Sequence, residues 1–99
     1  MIINYSLPSS DLASRKLAIK ERKNIENYIS DNKFLINLNM SNISSISESY
    51  SDELFGVLVL KFGSEKVFKS IKLVDAKPNV LLSIANVIQR RMKDQHAVA

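Results

Sequence analysis

Apolar and β-branched residues are concentrated in three short runs along the chain. These runs lie at residues 1–5, 34–40 and 70–74, and the second alternates between apolar and polar residues towards its end. Short runs of this kind are typical of strands. We therefore predict three strands, which pair in sequential order.

Longer segments between these runs have the spacing of helices. Apolar residues recur every three or four positions in residues 12–31, and again after Pro78, which suits the first turn of a helix. Residues 54–62 are apolar on almost every side and end at Gly63, so this helix should be the most buried, with Leu58 in the core. Because strands and helices alternate, we predict one α/β domain with a largely parallel sheet.

Turn residues mark the ends of the first helix. Pro8 fixes a turn before it, and Ser9, Ser10 or Asp11 is available as its N-cap. Asn32 tolerates the left-handed conformation and is expected to end the helix.

The composition removes most kinds of enzyme chemistry. The chain of 99 residues has no cysteine and one histidine, His96, within residues 94–99, which we expect to be a disordered tail. Histidine-based catalysis, a serine–histidine triad and a zinc site are therefore not expected. With Gly56 and Gly63 as its two glycines, the chain cannot form a phosphate-binding glycine loop. We predict a protein that is not an enzyme and that needs no cofactor or metal.

The net charge and the hydrophobic segments of the chain indicate its cellular location and its possible partners. No signal peptide and no membrane-spanning run is visible, so we expect a cytoplasmic protein without a membrane partner. The net charge of +4 leaves a small nucleic-acid-binding module as the alternative function. The chain lacks an aromatic-rich platform for such binding. The residues that support this alternative are Lys16, Lys20, Arg22, Lys23, Arg90, Arg91 and Lys93.

A serine-rich segment precedes the central helix. Six serines lie from Ser41 to Ser51, and Asp52 and Glu53 follow directly. In one interpretation Ser49 or Ser51 caps the helix while the two acids oppose its dipole. In the other, a serine here is modified, because a helix N-terminus stabilises a phosphate, although the neighbouring acids would repel it.

Several segments together are similar to a known family. Residues 49–56 read SYSDELFG, and Ser14-Arg15 stands at the start of the first helix. With residues 34–38, 62–68 and 71–74, the chain resembles the STAS-like group over about residues 12–92. This group comprises relatives of the STAS domains of sulfate transporters and anti-sigma-factor antagonists. The serine–aromatic–small–Asp–Glu–Leu sequence is the more specific part of the resemblance.

The resemblance implies both a fold and a mode of action. The fold is a β-α superhelix with three mainly parallel strands and its helices on one face. Anti-sigma-factor antagonists are small, non-enzymatic bacterial switches that bind a histidine-kinase-like ATPase, so a partner of that class is implied. Their phosphate acceptor lies in an Asp-Ser-Ser/Thr-Gly motif, to which Glu48-Ser49 is the nearest match, without the glycine.

We therefore expect a regulatory protein-interaction domain that docks through residues 44–51 and the start of the helix after them. Ser49 is the first candidate for phosphorylation, followed by Ser47 and Ser51. The acids expected to set partner choice by charge are Glu48, Asp52 and Glu53.

A sheet with helices on one face leaves the other face open. Apolar residues that alternate onto that face would need a cover. We therefore expect a homodimer or a complex with another protein.

Overall fold

The computed structural model describes the backbone of residues 1–7, 11–31 and 34–98, and side chains in these ranges as far as Lys93. Residues 48–62 form one unbroken helical segment with a π-helical turn in its middle, and we call this segment the composite helix. The elements are β1 (Ile2–Ser6), β2 (Asp11–Leu12), α1 (Arg15–Ile29), β3 (Leu35–Asn39), β4 (Ser45–Ile46), α2 (Glu48–Ser51), the π-helical turn (Asp52–Gly56), α3 (Val57–Phe62), α4 (Ser64–Ser70), β5 (Ile71–Val74) and α5 (Pro78–Val98).

The main sheet consists of β1, β3 and β5, which pair in parallel and in that order. The register aligns Ile3, Ile36 and Ile71 in one row, and the last two are buried. Leu38 of the next inward row is also buried, whereas the alternate positions of the strands are mostly exposed. The sheet is therefore covered on one face. This confirms the predicted three-stranded parallel sheet in sequential order.

The open face of the sheet is polar at its centre. Asn4, Asn37 and Lys72 are aligned there across the three strands. Exposed apolar side chains stand at the amino end of the sheet, where Ile2 is 61% and Leu35 is 51% exposed. Because water can solvate this central polar row, the open face has less need of a covering partner than a fully apolar face. The expected partner over it stays a prediction.

The composite helix is the central helical element of the core. It packs against α1 on one side and α5 on the other, and it is the most buried of the helices, as predicted. It begins at Glu48, six residues before the predicted start at position 54. The predicted start was wrong because residues 47–53 are mostly serines and acids, which do not show the apolar spacing of a helix. These residues were therefore assigned to a loop and a helix cap. Its buried apolar side chains are Tyr50, Leu54, Phe55, Leu58 and Val59.

Two features were not predicted at all. β2 and β4 form a second parallel sheet of two residues each, which is too short to leave a sequence period. The helix α4 follows Gly63 directly, and that glycine has a φ of 84°. The positive φ, which glycine adopts without strain, turns the chain at the end of α3 and lets a new helix begin at once. The predicted role of Gly63 at a helix end is confirmed.

The ends of α1 differ from the predicted ones. Ser14 is its N-cap, with its Oγ accepting a hydrogen bond from the Leu17 amide at 3.3 Å. Asp11 lies in β2, so its predicted role as a cap is wrong. The remaining predicted turn and cap residues fall outside the described part of the chain: Pro8, Ser9, Ser10 and Asn32.

The last helix, α5, starts at Pro78 as predicted and extends to Val98. The predicted disorder of residues 94–99 stays a prediction, since side chains are described only as far as Lys93 and position 99 is outside the description. Among the described helices there is none with the length and apolarity needed to cross a membrane.

Candidate functional site

The serine-rich segment lies at the carboxyl end of the main sheet and is held there by α5. The Lys77 Nζ donates hydrogen bonds to the carbonyl oxygens of Ser41 at 3.1 Å and Ile43 at 3.0 Å. The Asn79 side-chain amide donates to the carbonyl of Ser44 at 3.2 Å. These bonds pair three backbone carbonyls that precede β4 with side chains at the start of α5, and they keep the segment there.

Ser47 is the N-cap of the composite helix. Its Oγ accepts a hydrogen bond from the Tyr50 amide at 3.0 Å and donates one to the Ala13 carbonyl at 3.2 Å. Its own amide donates to the Leu12 carbonyl at 2.7 Å. The expectation that Ser49 or Ser51 caps this helix was therefore wrong. The pairing of β4 with β2 brings Ser47 next to the residues that precede α1. This long-range contact cannot be inferred from the sequence around Ser47.

The other two candidate serines lie inside the helix and differ in accessibility. Ser49 is half-buried and lines a small cleft of about 250 Å³ with Arg15, Glu48, Asp52 and Arg90. Ser51 is fully buried, with its Oγ 3.3 Å from the Oγ of Ser83 on α5. Solvent therefore reaches the Ser49 side chain while the helix is folded, whereas it does not reach Ser51.

Asp52 is held by a bidentate ion pair with α5. Its two carboxylate oxygens accept from Arg91 Nε at 2.8 Å and Arg91 Nη2 at 2.7 Å. The hydrogen bonding from Arg91 lowers the pKa of Asp52 below its ordinary value, although partial burial opposes the shift. Paired, fork-like hydrogen bonds of this kind fix geometry as well as charge. Asp52 therefore fastens the start of the π-helical turn to α5.

Gly56 makes room for that ion pair. A Cβ at this position would lie 2.5 Å from the Asp52 Oδ1 and 3.1 Å from the Arg91 Cγ. Asp52 and Gly56 are the first and last residues of the π-helical turn, in which the carboxylate folds back over the glycine. π-Helical turns are rare in proteins, and those that occur are often found at functional sites. Sequence reasoning used Gly56 to exclude glycine loops and as the last residue of the SYSDELFG segment, and it missed this role.

Glu53 binds α1 on the other side of the composite helix. Its carboxylate lies 3.2 Å from Arg15 Nη1 and 3.4 Å from Arg22 Nη2. Arg22 is buried and also pairs with Glu26 at 2.8 Å, which pairs in turn with Lys61 at 3.0 Å. Although burial raises the pKa of Glu26, hydrogen bonds from Lys61 and Arg22 lower it on balance. Asp52 and Glu53, adjacent in sequence, thus connect the composite helix to two different helices.

Glu48 is the exposed acid of the group. It pairs with Arg90 of α5, and the side chains are 67% and 54% exposed. An exposed pair of this kind contributes about 0–1 kcal/mol to stability and is easily exchanged for another partner. Of the three acids expected to set partner choice, Glu48 is thus the one that a partner can meet directly.

Tyr50 anchors the first turn of the helix in the core. Burial, and then the charge of Glu21, raise the pKa of its phenol to about 12. Among the described residues its hydroxyl has no hydrogen-bond partner. The nearby hydroxyl of Tyr5 binds Glu21, and its pKa is also raised to about 12, by burial first and by that hydrogen bond second. Neither phenol ionises near neutral pH; Tyr50 acts in packing, whereas Tyr5 also hydrogen-bonds Glu21.

The basic residues do not form one free surface. Arg22, Arg90 and Arg91 are engaged in ion pairs with acids of the same chain. The four lysines that supported a nucleic-acid module are exposed, but they are divided between α1 and α5: Lys16, Lys20, Lys23 and Lys93. Nucleic-acid binding requires positive charge concentrated on one face, so the arrangement weighs against that alternative.

Metal chemistry has no geometric support in the part of the chain that is described. It contains no group of three or more histidine, cysteine, aspartate or glutamate side chains placed to hold a metal ion. Asp52 and Glu53 are instead satisfied by arginines.

Comparison with known families supports the resemblance seen in the sequence. The family model described as a STAS-like domain of unknown function (DUF4325) matches residues 18–81. The matched part runs from α1 through the composite helix to the first turn of α5. No curated protein and no solved structure matches the chain.

Proposed function

Because the chain belongs to this family of STAS-like domains, we propose that it is a non-enzymatic regulatory domain that binds a partner protein. We propose residues 44–51 together with the first turn of the composite helix as the docking surface. The observation that carries this proposal is the placement of Ser49, which is the candidate serine inside the helix that solvent can reach. It lies at the carboxyl end of a parallel sheet, where α/β domains generally bind their ligands.

The charges of the docking surface divide into two groups with different roles. Glu48, Arg90 and Arg15 are more than half exposed, so they meet the partner and select it by charge. Asp52 and Glu53 are largely buried in ion pairs, so they act on partner choice through the shape of the surface. A histidine-kinase-like ATPase, the partner class implied by the resemblance to anti-sigma-factor antagonists, remains our proposed partner.

Modification of Ser49 supplies the regulatory step in this proposal. A phosphate there would add about two negative charges to a cleft that holds two arginines and two acids. It would draw Arg15 and Arg90 towards itself and repel Glu48 and Asp52. The exposed Glu48–Arg90 pair is the weaker of the two neighbouring ion pairs, so the local surface would change while the buried anchors hold the fold.

The test compares binding by the full chain with Ser49 unchanged, Ser49→Ala and Ser49→Asp. We expect Ser49→Ala to bind a partner ATPase normally and Ser49→Asp to lose affinity by about ten-fold or more. Asn27→Asp on the exposed face of α1 is the matched control, because it adds the same charge near the opposite end of α1 from Arg15 and the cleft. Mass spectrometry should find phosphate on Ser49 after incubation with that ATPase and ATP.

Two results would overturn this proposal. Equal binding by Ser49→Asp and Ser49→Ala would remove Ser49 from the docking surface. If the complex forms but phosphate is found on another serine or on none, the proposed switch at Ser49 is wrong, while the proposed docking surface stands. Thermal unfolding of each variant distinguishes loss of binding from loss of the fold.

A further inference from the structure

A second surface lies at the opposite end of the main sheet from the docking surface. There a groove of about 810 Å³ opens beside the first residues of β3 and the junction of α3 with α4. We call it the basal groove, and its defining side chains are Phe34, Leu35, Phe62, Lys66, Lys69 and Met92. It is more than three times the volume of the cleft at Ser49, which is about 250 Å³.

The apolar side chains of the basal groove range from half-buried to exposed. Leu35 is 51% exposed, and Phe34 is braced edge-on against Tyr28, with ring centroids 5.5 Å apart. An adjoining cleft of about 340 Å³ shares Leu35 and Lys69 and adds Phe68, which is 59% exposed. Contiguous exposed apolar surface with a polar rim is typical of a site where another molecule binds.

The rim of the two clefts is basic. Lys66 and Lys69 line the first cleft, and Lys69 and Lys72 line the second. The acid among the residues that line them is Glu65, whose carboxylate pairs with Lys69 at 3.0 Å. Lys66 places its Nζ 5.5 Å from the centre of the Phe62 ring, so its charge lies directly over the apolar floor. The groove thus offers apolar contact and positive charge together.

This combination determines the kind of occupant. A second copy of this chain that docked through the same groove would bring Lys66 and Lys69 against their own counterparts. We propose that the basal groove and the adjoining cleft together bind an acidic, amphipathic segment of a different protein, with large apolar side chains in the groove and carboxylates on the lysines. Since the two surfaces lie at opposite ends of the parallel strands, the domain can hold this segment and a partner at Ser49 at the same time.

Selection from a display library of random 16-residue peptides tests this proposal with the full chain as target. Enriched peptides should combine acidic residues with Leu, Phe, Ile or Trp, and their synthetic copies should show binding by fluorescence polarisation that weakens as salt rises. Lys66→Glu, Lys69→Glu and Phe68→Ser should each lower the affinity about ten-fold. All three positions are at least partly exposed, so the variants are expected to fold.

Matched controls keep the result specific to the groove. Lys16→Glu makes the same charge change on α1, and Leu82→Ser removes an apolar side chain that is 63% exposed on α5. Both controls should bind the peptides as the unchanged chain does. Enrichment of basic or uncharged peptides, no enrichment at all, or equal loss in the controls and the groove variants would overturn the proposal. Ser49→Asp should leave peptide binding unchanged, and a loss in that variant would overturn the proposal that the two surfaces bind independently.

Discussion

Replacing Gly56 by alanine tests whether the π-helical turn is shaped around the Asp52–Arg91 ion pair. In an ordinary helix this change would stabilise the protein by about 1 kcal/mol, because alanine is the better helix former. Here the new methyl carbon would lie 2.5 Å from the Asp52 Oδ1, so the carboxylate must move. Overpacking of this kind costs about 1–3 kcal/mol. Loss of the partly exposed, charge-assisted hydrogen bonds to Arg91 adds about 1 kcal/mol.

The sum of these effects is a net destabilisation of about 1–3 kcal/mol, opposite in sign to the helix propensity. Urea unfolding followed by circular dichroism measures it. The decisive control is the same change in an Asp52→Ala background, in which the carboxylate that clashes is gone. There Gly56→Ala should be neutral or stabilising, within about 1 kcal/mol. A stabilising Gly56→Ala in the unchanged chain, or an equal loss in both backgrounds, would refute the reasoning.

Four further predictions follow from the same structure. Leu58→Ala should lower the free energy of unfolding by about 2–5 kcal/mol, as measured in urea, because Leu58 is fully buried in the core; a loss below about 1 kcal/mol would contradict its central position. Ser47→Ala should cost about 1 kcal/mol as a lost cap, whereas Ser49→Ala should change stability by less than about 0.5 kcal/mol; the reverse order in thermal unfolding would restore Ser49 as the cap. Because the folded-state pKa of Asp52 is depressed, its ion pair contributes stability that is present above the ordinary pKa of 3.8 and is lost as the pH falls below it. Asp52→Asn should therefore reduce the loss of stability that urea unfolding measures between about pH 5 and pH 2. An unchanged loss of stability in this variant would assign the acid sensitivity to other groups. Light scattering tests the expected homodimer, whose mass would be twice the 11.2 kDa of the chain; a monomer would contradict it and leave a different protein as the expected partner, in agreement with the polar centre of the open sheet face.

The sequence alone determined the features that depend on local periodicity and backbone geometry. Alternating and continuous apolar runs located the three strands of the main sheet, because burial of one face imposes a period of two. Gly63 and Pro78 marked helix ends correctly, since each acts through its own backbone angles. Leu58 was recognisable as core because its whole surroundings in the sequence are apolar.

Only the tertiary structure decided the chemistry of the candidate site. Ser49 and Ser51 are two residues apart in the same motif, yet one faces a cleft and the other faces Ser83 in the interior. These two side chains point in different directions because the motif is helical. The helix starts before the motif because β4 positions Ser47 as its N-cap.

The acids show the same dependence on distant parts of the chain. Asp52 and Glu53 follow one another in sequence, but their partners are Arg91, 39 residues later, and the arginines of α1. Pairing over such distances is settled by how the helices pack on the sheet, and no local pattern records it. Sequence reasoning therefore found the segment that carries the site but could not assign the separate role of each of its side chains.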